Sequence, residues 1–165
     1  MPTLVPSTYK LLMQKAFDLP LGENVVDWAI EMIETGYESA NLYMLAGETK
    51  PFNQFEMRDL TDKVLQDLHL SYSDKNKVAQ DYAHSLINAS IQNPATYFET
   101  LEKLKEIYLT LDMDAEYTNF YSLYFAKDDL NYSEHQWYRE GATRENIDAI
   151  IKNEFQKFID KIQIK

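Results

Sequence analysis

The stretch Asn93-Pro94-Ala95-Thr96-Tyr97-Phe98-Glu99-Thr100-Leu101-Glu102-Lys103-Leu104-Lys105-Glu106-Ile107-Tyr108-Leu109-Thr110-Leu111 reads as one amphipathic helix together with its start signal. Asn93 is a cap residue, and Pro94 suits the first helical position, where its missing N–H costs no hydrogen bond. Behind them Tyr97, Leu101, Leu104, Tyr108 and Leu111 recur every three or four residues and make one apolar stripe. Glu99 and Lys103, one turn apart, add a supporting charge pair.

The same period extends in both directions. Upstream, Pro6-Ser7-Thr8 opens a segment running to about Phe17, and Leu19-Pro20-Leu21-Gly22 breaks it. A second helix begins near Glu23, with Val25, Ala29, Met32 and Ile33 on one face beside Trp28, and Gly36 closes it. A short helix from about Glu38 to Ala46 follows. Asn53 with Glu56 has the spacing of a capping box, ahead of Met57, Leu60, Val64 and Leu68. Asp74 to about Ile91 is a further helix.

Downstream, Tyr117, Phe120, Tyr121, Tyr124 and Phe125 form the densest aromatic cluster, on a helix expected to fade at Asp128-Asp129-Leu130-Asn131. The stretch from there to Gly141 is expected to be a long loop, after which Thr143 caps a final helix carrying Ile147, Ile150, Ile151, Phe155, Phe158 and Ile162. The expectation is an all-α chain, 1–165 as a single domain, built as a bundle or array of about seven to eight short-to-medium helices. No clear repeat period emerges, so a solenoid fits only in degenerate form.

Composition agrees with a folded chain: 165 residues, 45% hydrophobic and 13% aromatic, carry enough apolar material for a core. Cysteine is absent, which removes disulfides, thiolate metal sites and cysteine nucleophiles together. The N-terminal stretch shows no charged leader or cleavage site, and no run approaches a membrane span, so a cytoplasmic setting is expected. Formal charge is −11. Glu23 to Asp67 holds ten acids against three bases, and Thr96 to Glu140 ten against four. Such a field repels nucleic acid and anionic lipid and favours encounter with a basic protein; it also keeps an ordinary surface soluble.

No catalytic residue, cofactor-binding residue or metal ligand is assigned. The three histidines, His69, His84 and His135, lie far apart. Asp81 and His84 share a helical face without a third ligand, so a surface pair is expected. Asp112-Met113-Asp114-Ala115-Glu116 opens like a calcium loop, but the sixth and twelfth positions are Tyr117 and Leu123, where glycine and glutamate are required. The acids instead suit a helix start, capped by Asp112 or Asp114. No glycine-rich phosphate cradle and no glycine-flanked serine elbow occurs.

Recognition chemistry concentrates in the predicted loop. Glu134, His135, Trp137, Tyr138 and Arg139 are the candidate partner-binding residues, since Trp, Tyr and Arg are the commonest interface anchors. The competing expectation is that Trp137 and Tyr138 fold back to close the core while Arg139 pairs with a nearby acid, as large aromatics are mostly buried.

Two stretches also carry a resemblance: Asn41-Leu42-Tyr43-Met44-Leu45-Ala46-Gly47 leading to Phe55-Glu56-Met57-Arg58-Asp59-Leu60, and Phe125-Ala126-Lys127-Asp128-Asp129-Leu130 leading to Ala142-Thr143-Arg144-Glu145-Asn146-Ile147. Together they resemble a group of small, largely uncharacterised bacterial helical proteins. Some small acidic bacterial proteins of this type look like immunity proteins, which bind and block a partner toxin. The resemblance implies a helical fold and a binding role, and it transfers no functional residue. A non-catalytic acidic inhibitor that docks on a basic partner, such as a toxin domain, is therefore the leading expectation. Two others stand beside it: a helical adaptor, and an enzyme with carboxylates gathered inside a bundle.

Overall fold

Helix ends in this protein are made by side chains and left-handed residues more than by glycine. The computed structural model describes residues 3–164, and every regular element among them is helical: α1 (Ser7–Ala16), α2 (Glu23–Glu34), α3 (Ala40–Ala46), α4 (Gln54–Asp67), α5 (Lys75–Ser90), α6 (Tyr97–Thr110), α7 (Thr118–Tyr132) and α8 (Ile147–Ile164). Short 3-10 turns, Pro94–Thr96 and Ala115–Tyr117, precede α6 and α7. Ser39 and Asn53 accept the N–H groups of Leu42 and Glu56 at the starts of α3 and α4, and Asp74 accepts that of Lys77 in α5. At the other ends, Asp18, Gly36 and His69 sit at positive φ, and the following N–H reaches back to close α1, α2 and α4.

Contacts along the chain fall into two units, Met1–Tyr82 and Ala83–Lys165. In the first unit α1 packs on α2, α2 on α3 and α3 on α4. Its core gathers Leu11, Leu21, Val25, Trp28, Met32, Leu42, Leu45, Met57 and Val64. Trp28 is wholly buried, and its indole N–H donates to the Thr8 hydroxyl at 2.9 Å, so the polar handle of the largest core side chain is satisfied. Lys15, also buried, meets Asp62 at 3.0 Å, and the Tyr72 hydroxyl donates to the same carboxylate at 2.7 Å.

In the second unit α7 packs on α6 and on α8. The core is aromatic: Phe120 lies 5.8 Å from Phe155 and 5.6 Å from Phe158, and Tyr97 meets the Phe155 ring edge-on at 5.3 Å. The Tyr97 hydroxyl donates to the Ile91 carbonyl. No helix among the described residues is long and apolar enough to cross a membrane.

Three boundaries differ from those read in the sequence. Helix α7 continues through Asp128-Asp129-Leu130-Asn131 to Tyr132, because Arg144 supplies a donor to the Leu130 carbonyl at 2.8 Å and Lys127 pairs with Asp148 at 2.8 Å. Regular α8 begins at Ile147, three residues later than expected, but the chain enters it through a turn that Thr143 does cap: its hydroxyl accepts the Asn146 N–H at 3.3 Å and its carbonyl the Ile147 N–H at 2.9 Å. Asp114, not Asp112, does the capping before α7, accepting the Glu116 N–H at 2.9 Å, while Asp112 adopts φ 53° past the end of α6.

Candidate functional site

Between α7 and α8 the chain makes an irregular loop, and Gln136 is what folds it. The Gln136 side-chain oxygen accepts the N–H groups of Tyr138 at 2.9 Å and Arg139 at 2.8 Å. Its amide nitrogen donates to the carbonyls of Arg139 and Ala142. One side chain thus satisfies four backbone groups that no helix or strand ladder serves. Ser133 accepts the His135 N–H at 3.1 Å, and Asn146 donates to the Gly141 carbonyl at 2.9 Å. Gly141 sits at φ 82°, in the left-handed region, at the turn back towards α8.

The loop is then tied to the helices by charge. Arg139 reaches Glu154 on α8 at 2.9 Å. Glu154 is 7% exposed, and it also accepts the Asn119 amide at 3.3 Å and lies 3.6 Å from Lys157. A buried carboxylate with donors on each oxygen is a stable pin; with those donors removed it would be a costly orphan. Tyr138 adds an apolar anchor, its ring 5.2 Å from that of Phe125 on α7.

Trp137 points outward. It is 90% exposed, and Tyr132 at the end of α7 is 86% exposed, so the expectation that Trp137 closes the core is corrected. Beneath the turn lie the half-buried Gln136 and the small, buried Ala142. Tyr138 is half exposed and bridges core and surface. Arg139 pairs with an acid as the competing expectation held, while Glu134, His135 and Glu140 are exposed.

Phe125 also leads into a half-buried aromatic array on α6 and α7. Its ring lies 5.0 Å from Tyr121 and 5.1 Å from Tyr124; Tyr121 meets Tyr108 at 4.6 Å, and Tyr124 stacks on Phe98 at 4.9 Å. Lys105 lays its ammonium over this array, 4.2 Å from the Tyr124 centroid, with its nearest carboxylate, Glu106, at 3.9 Å. Helix α7 is therefore aromatic on two faces, one in the core and one at the surface.

The charges around the loop are arranged unequally. Arg139 is spent on Glu154, Lys127 on Asp148, and Arg144 on the Leu130 carbonyl. Glu134, Glu140 and Glu145 are exposed with no cation in pairing distance among the described residues. Glu134, Thr143, Arg144 and Glu145 line a shallow cleft of about 250 Å³.

Elsewhere the chemistry is sparse. No group of three potential ligands is placed to hold a metal ion among the described residues. Glu154 is the one buried carboxylate among them, so the interior carboxylate cluster that a bundle enzyme would use is not formed. A second cleft, about 260 Å³, is lined by Glu116, Asn119, Glu154, Lys157 and Lys161, with Phe120 and Phe158 behind them.

No family model, curated protein or solved structure matches this chain. The residues themselves must carry the functional argument. In the sequence Trp137 and Arg139 stand out; Tyr132 and Gln136 fall in the same recognition stretch without an assigned role, and Glu154 lies outside it. Glu154 had a visible signal: it occupies an apolar-stripe position between Ile151 and Phe158 on the final helix, where a charge marks a buried pair. Gln136 had none, since a glutamine in a polar loop looks like any other.

Proposed function

We propose that the chain is a non-catalytic, acidic protein-binding module of the immunity or antitoxin type, which docks through the Trp137 loop onto a basic partner protein such as a toxin domain. One observation carries this reading: a tryptophan with 90% of its surface exposed stands on a loop braced by Gln136 and pinned by Arg139 to Glu154. Trp is among the commonest interface anchors, and this one is presented to solvent on a well-anchored backbone. Charge sets the class of that molecule. Arg139 is held by Glu154 while Glu134, Glu140 and Glu145 are exposed, and the whole chain carries −11, which disfavours nucleic acid and anionic membrane. The resemblance to small bacterial helical proteins of the immunity type points the same way, and a cytoplasmic setting accords with the absence of cysteine.

The test is paired affinity capture from native lysate, with wild-type and Trp137→Ser protein immobilised in parallel and eluted by rising salt. A basic protein retained by the wild type, released by salt and missing from the variant is the expected result. Identical retention by both proteins, or retention of acidic proteins alone, would overturn the proposal.

A further inference from the structure

The aromatic surface of the second unit already shows what it accepts. Lys105 is largely buried, yet its nearest carboxylate is 3.9 Å away; what its ammonium covers instead is the Tyr124 face at 4.2 Å, with Phe125 at 5.8 Å. Ring faces carry negative quadrupole charge and attract cations. From Phe125 the array passes to Tyr138 and so to the loop, where Trp137 is exposed. Trp is the best of the ring types for this contact. Glu134 and Glu140 lie three residues to either side of it in sequence, both exposed; Arg139 is paired with Glu154, and exposed Arg144 shares the cleft of Glu134 and Glu145.

Resting on the docking reading above, we infer that the partner is recognised through an arginine-bearing segment, with a guanidinium lying flat on the Trp137 ring and its N–H edge turned to the loop's exposed glutamates. Arginine fits this arrangement better than lysine. A planar guanidinium stacks on a ring while its N–H groups point outward in the plane towards carboxylates, whereas an ammonium is a point charge that does not do both at once.

The chain has two tryptophans, so protein labelled with 5-fluorotryptophan gives two fluorine resonances, assigned by Trp137→Phe. Titration with tetra-arginine amide should shift the Trp137 resonance saturably and leave that of buried Trp28 in place. Tetra-lysine amide should bind about twofold to fivefold more weakly, a spread no larger than one exposed cation–π contact, and tetra-citrulline amide should not bind. By calorimetry, Trp137→Leu should weaken the arginine peptide by a similar factor. Heat of binding with an unmoved Trp137 resonance would overturn the inference while leaving the basic-partner reading intact, since the peptide would then sit on acids elsewhere. Equal affinity for the lysine and arginine peptides, or no binding of either, would also overturn it.

Discussion

Thr61 and Trp137 mark the two ways a residue in this protein departs from the rule for its type. Thr61 is wholly buried in the first unit, and its hydroxyl is the one buried side-chain polar atom among the described residues without a hydrogen-bond partner. An unmet buried hydroxyl costs about 1–3 kcal/mol, and valine keeps the shape while removing it. Thr61→Val should therefore raise the unfolding free energy by about 1 kcal/mol in urea denaturation; a loss of stability would mean the hydroxyl is served in solution. Trp137 breaks the opposite rule, being large, aromatic and exposed. Both readings of it were open in the sequence, because burial of a loop aromatic depends on what else fills the space beneath the turn. Gln136 fills it by satisfying four backbone groups, and no periodicity or composition signals that choice.

Among the helices, starts were more legible than ends. Asn53 and Asp74 cap α4 and α5 with their side chains, and Pro94 opens the turn into α6 where the sequence put it, although Asn93 serves there through its carbonyl and not as a side-chain cap. Ends depend on partners far along the chain, as with α7, whose last carbonyls are served by Arg144. Glycine marked the ends of α2 and α3, Gly36 at φ 106° and Gly47 in the right-handed region, but His69 does the same work after α4 at φ 57°. A side chain in that region is strained relative to glycine, so His69→Gly should stabilise the protein by about 0.5–1 kcal/mol, read as a raised thermal midpoint. The α7–α8 loop yields the complementary prediction. Replacing Arg139 with Ala strips a donor from buried Glu154, and should cost about 1–3 kcal/mol while speeding hydrogen exchange from Ser133 to Asn146. Unchanged exchange would show that Gln136 alone holds the loop.

Over the whole chain, the acid-rich stretches foreseen in the sequence divide between the two units: Glu23 to Asp67 lies in the first, Thr96 to Glu140 in the second. Charge also shapes the pH limits. Burial and the neighbouring Asp62 carboxylate push the Tyr72 hydroxyl up to about 12 from the usual 10.0. A group raised in the folded state stabilises it fully below its unfolded value, so this contribution is lost as pH climbs from 10.0 to about 12. Tyr72→Phe should flatten that alkaline limb. Hydrogen bonds from Ser39 and Asn41 hold the Asp67 carboxyl below its usual 3.8, so its contribution is present above that value and fades as pH falls further. Asp67→Asn should therefore soften the acid limb of a pH–stability profile, and an unchanged limb would assign acid unfolding to other carboxylates. Docking through the second unit requires Trp137 to be both exposed and held. Acrylamide quenching with fluorescence anisotropy reports both at once, because Trp28 is buried and serves as the internal reference. The predicted result is one freely quenched component that disappears in Trp137→Phe and tumbles with the folded protein. Two protected tryptophans, or a quenched component as mobile as a short peptide, would contradict it.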